Sequence, residues 1–184
     1  MIQYLPNVLT IFRMALTFVA IVLVSLTLPH VYVYLFGIFL VAAVTDFFDG
    51  YLARKFEVVS DFGKIFDPLS DKVLAFVFLI IIVNTNIIPL AIILLLITRD
   101  LIVDGVRLAL AREIVIPAIR SAKNKTVLMF LTIAVALFTL AFPQIALYED
   151  LVMILAMLTL VFSYVSAAQY ASIFYRAKKN LHSE

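Results

Sequence analysis

The stretch VYVYLFGIFLVAAVTDFFDGYLAR, residues 31–54, is apolar for most of its length and turns acidic and then basic at its end. No charge stands between Val31 and Thr45. An uncharged apolar run of ~20 residues is what a helix needs to cross the hydrocarbon of a bilayer. Five further stretches share this character: Val8–Leu28 before it, and Leu69–Val83, Ile88–Ala109, Thr126–Phe142 and Leu151–Phe174 after it. With Val31–Ala53 they predict an all-α, polytopic membrane protein of six transmembrane helices, in one domain covering residues 1–184. Composition agrees. Hydrophobic residues make up 65% of the chain and charged ones 14%, with a mean hydropathy of +1.16. A soluble domain carries roughly 25% charged residues. There is no cysteine, which excludes disulfides and thiolate metal sites. His30 and His182 are too far apart in the chain to suggest a zinc site. No basic segment precedes the first apolar run, so it is expected to be a retained span and not a cleaved leader.

The basic residues orient the chain. Arg54, Lys55, Lys64 and Lys72 cluster at the connection between the second and third spans. Arg107, Arg112, Arg120, Lys123 and Lys125 cluster between the fourth and fifth, and Arg176, Lys178 and Lys179 follow the sixth. The three brief connections, Pro29-His30, Asn84-Thr85-Asn86 and Pro143 to Asp150, carry no Lys or Arg. The positive-inside bias then places both termini and the two basic loops in the cytoplasm, which requires an even number of spans. The cell membrane is the expected location, with nothing pointing to nucleic acid.

Charged groups within or beside spans are costly and ask for a function or a partner. Here they gather. Asp46 and Asp49 are spaced i, i+3 at the end of the second span, and Asp67 and Asp71 are spaced i, i+4 at the start of the third. Each pair shares a helix face. A short connection makes the two helices antiparallel neighbours, so the pairs are expected to face each other. Four clustered carboxylates need protons or cations to offset their repulsion. An all-oxygen donor set suits Mg²⁺ or Mn²⁺, and two divalent ions would balance four negative charges. Paired-ion sites commonly serve phosphoryl chemistry. A cation or proton carrier is the reading from a different class, but it would more naturally set its charges at the midplane. The small residues Gly50, Ala53 and Gly63 beside the carboxylates suit close approach of a ligand or close helix packing.

The run from Asp46 to Asp71 resembles the signature of the CDP-alcohol phosphatidyltransferases, DxxDGxxAR…GxxxDxxxD. Asp46, Asp49, Gly50, Ala53, Arg54, Gly63, Asp67 and Asp71 fill every defining position. Other stretches are similar to the bacterial phosphatidylglycerophosphate synthases of that family. They include Pro6 to Arg13, Asp67 to Lys72, Arg99 to Arg107, Lys123 to Thr126, and Gln169-Tyr170. Asp100 and Ala122 depart from those synthases, which usually carry Glu and Gly there. The resemblance implies transfer of a phosphatidyl group from CDP-diacylglycerol to an alcohol, with release of CMP. It implies Asp46, Asp49, Asp67 and Asp71 as metal ligands, with Asp71 as general base. Spacing alone does not separate Asp71 from Asp67. Gly50, Ala53, Arg54 and Gly63 would bind CDP-diacylglycerol. The implied acceptor is glycerol 3-phosphate, with an inositol phosphate, serine or phosphatidylglycerol as alternatives. A phosphorylated acceptor needs cations of its own. Arg107, Lys123 and Lys125 are the candidates, followed by Arg13 and Arg99. Asp100 and Asp104 are expected to pair with Arg99 and Arg107. The family resemblance also implies a homodimer.

Overall fold

The computed structural model describes residues 5–26, 28–56, 61–110, 119–144 and 149–181, with side chains for 7–26, 28–46, 66–109, 119–144 and 149–176. Among the described residues every regular element is helical. The helices are α1 (Leu5–Ser25), α2 (Val31–Phe56), α3 (Asp61–Val83), α4 (Leu90–Leu110), α5 (Arg120–Ala141) and α6 (Glu149–Leu181). Helices close their backbone hydrogen bonds internally, which is why apolar chains in lipid adopt them.

The breaks fall where the local chemistry demands. Pro29 and His30 turn the chain between α1 and α2, with His30 at φ 57° and its carbonyl accepting from the Val33 amide at 2.9 Å. Asn86 takes the left-handed conformation, φ 58°, in the turn before α4. Asparagine tolerates that region better than most residues. Pro143 follows the end of α5. The third helix differs from expectation. It begins at Asp61 instead of near Leu69, and continues through Pro68.

Unlike a soluble protein, the bundle is apolar on its outer faces as well as in its core. Val8, Ile11, Phe18, Val22, Leu94, Leu101, Ile102, Val127, Ile154 and Val161 lie exposed on outward faces. Thr10, Arg13, Ser70, Arg99, Asp100, Lys125, Thr132, Thr159 and Ser166 are buried inside. A chain surrounded by lipid gains nothing by hiding apolar surface, and must pair its polar groups within. Thr132 and Thr159 do so across α5 and α6 at 3.0 Å. Asn7–Ser25, Arg120–Ala141 and Glu149–Arg176 are long and apolar enough to cross a membrane, and Val31–Asp46 is a shorter apolar helix. The α3 and α4 helices carry the charges described below.

The apolar core joins α2, α3 and α5 through Phe39, whose ring meets Phe78 at 5.1 Å and Phe130 at 5.6 Å. The α1 helix packs against both α2 and α3, and α5 packs along α6. Among the described residues α1 lies against both α2 and α3, while Phe39 meets Phe78 and the Asp46 and Asp71 carboxyls meet each other across α2 and α3. The beginnings of α1, α3 and α5 and the ends of α2, α4 and α6 meet at one end of the bundle, as the contacts of Arg13, Lys125 and Arg99 show.

Candidate active site

At that end, one turn of α1 faces the acidic ends of α2 and α3. Arg13 is fully buried. One of its terminal nitrogens is 2.9 Å from Asp46 Oδ1. The other donates to Asp71 Oδ1 and, at 3.0 Å, to Ser70 Oγ. Thr10, one turn earlier, donates its hydroxyl to Asp67 Oδ1. Thr17 in turn donates to the Arg13 carbonyl at 2.9 Å. Three of the four signature aspartates therefore converge on two side chains of α1. A buried guanidinium is tolerated only when opposite charge meets it. The side chains of Asp46 and Asp71 stay 40% and 26% exposed, enough to meet a ligand as well as Arg13.

The donors fit a hard cation in kind, because all are carboxylate oxygens. Among the described residues, no three acidic or imidazole groups are gathered tightly enough to hold an ion by themselves. The side chains of Asp49, Gly50, Ala53, Arg54 and Gly63 lie outside the described residues.

Beside the acidic cluster is a cavity of about 190 Å³ enclosed by α3, α4, α5 and α6. Asp71, Lys72, Arg99, Asp100, Asp104, Arg107, Lys125 and Tyr170 all reach its wall. Asp100 is buried between two cations, Arg99 at 2.8 Å and Lys125 at 2.5 Å. Arg99 also donates to Ser166 of α6. Lys72 pairs with Asp104. Arg107 lies over the Tyr170 ring, 5.3 Å from its centroid, and a guanidinium on an aromatic face is held without giving up its charge. Four cations and three carboxylates line this cavity, leaving an excess of one positive charge.

The sequence expectations fare unevenly here. Arg107 and Lys125 line the cavity, but Lys123 is exposed on α5 and outside its wall. The cause is helix geometry: residues two apart point to different faces. The Lys125 ammonium is engaged by Asp100 and forms part of a buried network. Asp100 pairs with Arg99 as expected, whereas Asp104 pairs with Lys72 and not with Arg107. Arg13 sits among the aspartates and not in the cavity wall. Thr10, Ser70, Lys72 and Ser166 were not singled out as site residues, although Thr10 lies in the Pro6–Arg13 stretch and Ser70 and Lys72 in the Asp67–Lys72 stretch that resemble the synthases.

A family model described as CDP-alcohol phosphatidyltransferase matches residues 3–165. The chain belongs to this family. CDP-alcohol phosphatidyltransferases are generally dependent on a divalent metal. The chain is 34% identical over 157 residues to a CDP-diacylglycerol–glycerol-3-phosphate 3-phosphatidyltransferase of Mycoplasma pneumoniae, covering 75% of this chain and 69% of that protein. A protein of the same name from Rickettsia bellii is 35% identical over 134 residues, covering 72% and 74%. One from Bacillus subtilis is 45% identical over 74 residues, covering 40% and 38%.

Proposed function

We propose that this protein transfers the phosphatidyl group of CDP-diacylglycerol to sn-glycerol 3-phosphate, giving phosphatidylglycerophosphate and CMP. The observation that carries this reading is the position of Asp71. Among the described residues, it is the signature aspartate that touches both the acidic cluster and the wall of the cationic cavity. An acceptor whose phosphate lies in that cavity would present its hydroxyl toward Asp71. Lys72, Arg99, Arg107 and Lys125 supply positive charge for a phosphate monoester, and Arg107 is the cation placed to grip it with a planar fork.

The step then balances. The acceptor hydroxyl oxygen forms a bond to the lipid-side phosphorus, and its proton passes to Asp71. The bond from that phosphorus to the bridging oxygen breaks, and CMP leaves with the electron pair. A general base must lie within hydrogen-bond reach of the proton it takes. Asp67 accepts from Thr10 and is not in the cavity wall, which favours Asp71 for this role. Asp46, Asp49, Asp67 and Asp71 would hold the divalent metal, Mg²⁺ or Mn²⁺ and two ions by charge balance. Bound there, the metal would supply charge stabilisation for the pyrophosphate. Gly50, Ala53, Arg54 and Gly63 would receive the cytidine end of the lipid substrate.

All six helices would span the bilayer, with both termini and the site on the cytoplasmic face of the cell membrane. Supporting this are the gathering of alternate helix ends around the site and the Lys and Arg bias. The assembly the resemblance implies is a homodimer, which cross-linking in native membranes would test.

The function is tested by CMP release from purified protein in detergent with CDP-diacylglycerol, Mg²⁺ and each of glycerol 3-phosphate, inositol phosphate and serine. Release with glycerol 3-phosphate alone is the expected result. Release with another acceptor would overturn the substrate. No release from folded protein would overturn the reaction and send attention to gradient-driven cation flux in sealed vesicles.

A further inference from the structure

The aspartates of the signature lie between residues 46 and 71, yet the side chains that hold them come from outside it. Thr10 and Arg13 are spaced i, i+3 and so share a face of α1. That face supplies a hydroxyl to Asp67 and a guanidinium to both Asp46 and Asp71. A guanidinium is a rigid planar fork, whereas an ammonium is a point charge on a flexible stem. By meeting Asp46 with one terminal nitrogen and Asp71 with the other, Arg13 holds in register two carboxyls, one from α2 and one from α3, that also meet each other. Its burial and its absence from the cavity wall keep it away from the acceptor.

We propose that Thr10 and Arg13 are a positioning pair that holds Asp46, Asp67 and Asp71 at the spacing needed to take up divalent cation, so that α1 sets the metal affinity of the site. The inference rests on the metal-assisted reading of those aspartates given above. Neither residue acts on the substrates. Groups that orient metal ligands typically change affinity or activity by about 10–100-fold when altered.

Binding of Mn²⁺ alone, followed by electron paramagnetic resonance on purified protein in detergent, tests this without turnover. Arg13→Lys keeps the charge but loses the fork, and is expected to weaken Mn²⁺ binding by about 10–100-fold. Thr10→Val removes the hydroxyl donated to Asp67 and is expected to weaken it severalfold. The Mg²⁺ concentration for half-maximal activity should rise in parallel, with KM for glycerol 3-phosphate unchanged at saturating Mg²⁺. Unchanged Mn²⁺ affinity in the folded variants would overturn the proposal. So would a rise in KM for either substrate at saturating metal, which would put Arg13 on substrate. If Arg13→Lys does not fold, Thr10→Val decides the matter by the same criterion. If the unaltered protein binds no Mn²⁺, the metal reading falls and this inference with it.

Discussion

Replacing Arg107 by Ala isolates the acceptor cavity from the acidic cluster. Arg107 is half-buried at the cavity wall, seated on Tyr170, and forms none of the ion pairs that hold Asp46, Asp67 or Asp71. A charge-assisted hydrogen bond contributes about 1.5–3 kcal/mol. At 1.4 kcal/mol per factor of ten, losing one such contact to phosphate raises KM for glycerol 3-phosphate by about 10–150-fold. Arg107→Lys keeps the charge without the fork, so its KM should fall between those of the unaltered protein and Arg107→Ala. The assay is CMP release at saturating CDP-diacylglycerol with glycerol 3-phosphate varied, then the converse. The lipid substrate's KM should stay within a factor of about two, since no lipid contact is assigned to this side chain. A loss confined to kcat, or an equal rise in both KM values, would refute the placement of the acceptor phosphate.

Asp71→Asn should abolish CMP release while sparing CDP-diacylglycerol binding, measured by isotope-labelled lipid retained on the purified protein. Equal loss of both would undo the assignment of Asp71 as base. Asp100→Asn should destabilise the protein, because it leaves Arg99 and Lys125 buried around a neutral amide. Stripping one partner from a buried ionic cluster costs about 3–5 kcal/mol, so thermal unfolding in detergent should come at clearly lower temperature. An unchanged transition would show that the cluster is wetter than its burial implies. Adding a chelator should stop turnover, and excess Mg²⁺ should restore it. Persistent activity in chelator would remove the metal from the scheme.

Much of the helical architecture could be read from the chain because lipid imposes a simple rule. Uncharged runs bounded by Pro29-His30, Asn84 to Asn86 and Pro143 mark helix ends with little ambiguity. The start of α3 was less legible. Its first turns carry Asp61, Lys64, Asp67 and Pro68, which read as a polar approach to a span, whereas the helix itself already begins at Asp61. The acidic residues of the site were visible as two local spacings. Their partners were not, because Arg13 meets Asp71 across 58 positions and Arg99 meets Ser166 across 67. Helical periodicity relates residues within a helix and says nothing of such distances. Which of Lys123 and Lys125 lies at the cavity depends on helix phase, and Lys125 is the one that pairs with Asp100 of α4.

The site is divided along the chain as well as in space. The clasp of Thr10 and Arg13 on Asp46, Asp67 and Asp71 is complete once α3 is in place. The cationic cavity needs Arg99, Lys125 and Tyr170, and so needs α4, α5 and α6. The two halves therefore draw on different stretches of the chain, and removing α6 would open the cavity wall while leaving the clasp of α1 on α2 and α3. A product truncated before α6 would still present carboxylates to the membrane surface, with no walled cavity beside them to direct an incoming alcohol.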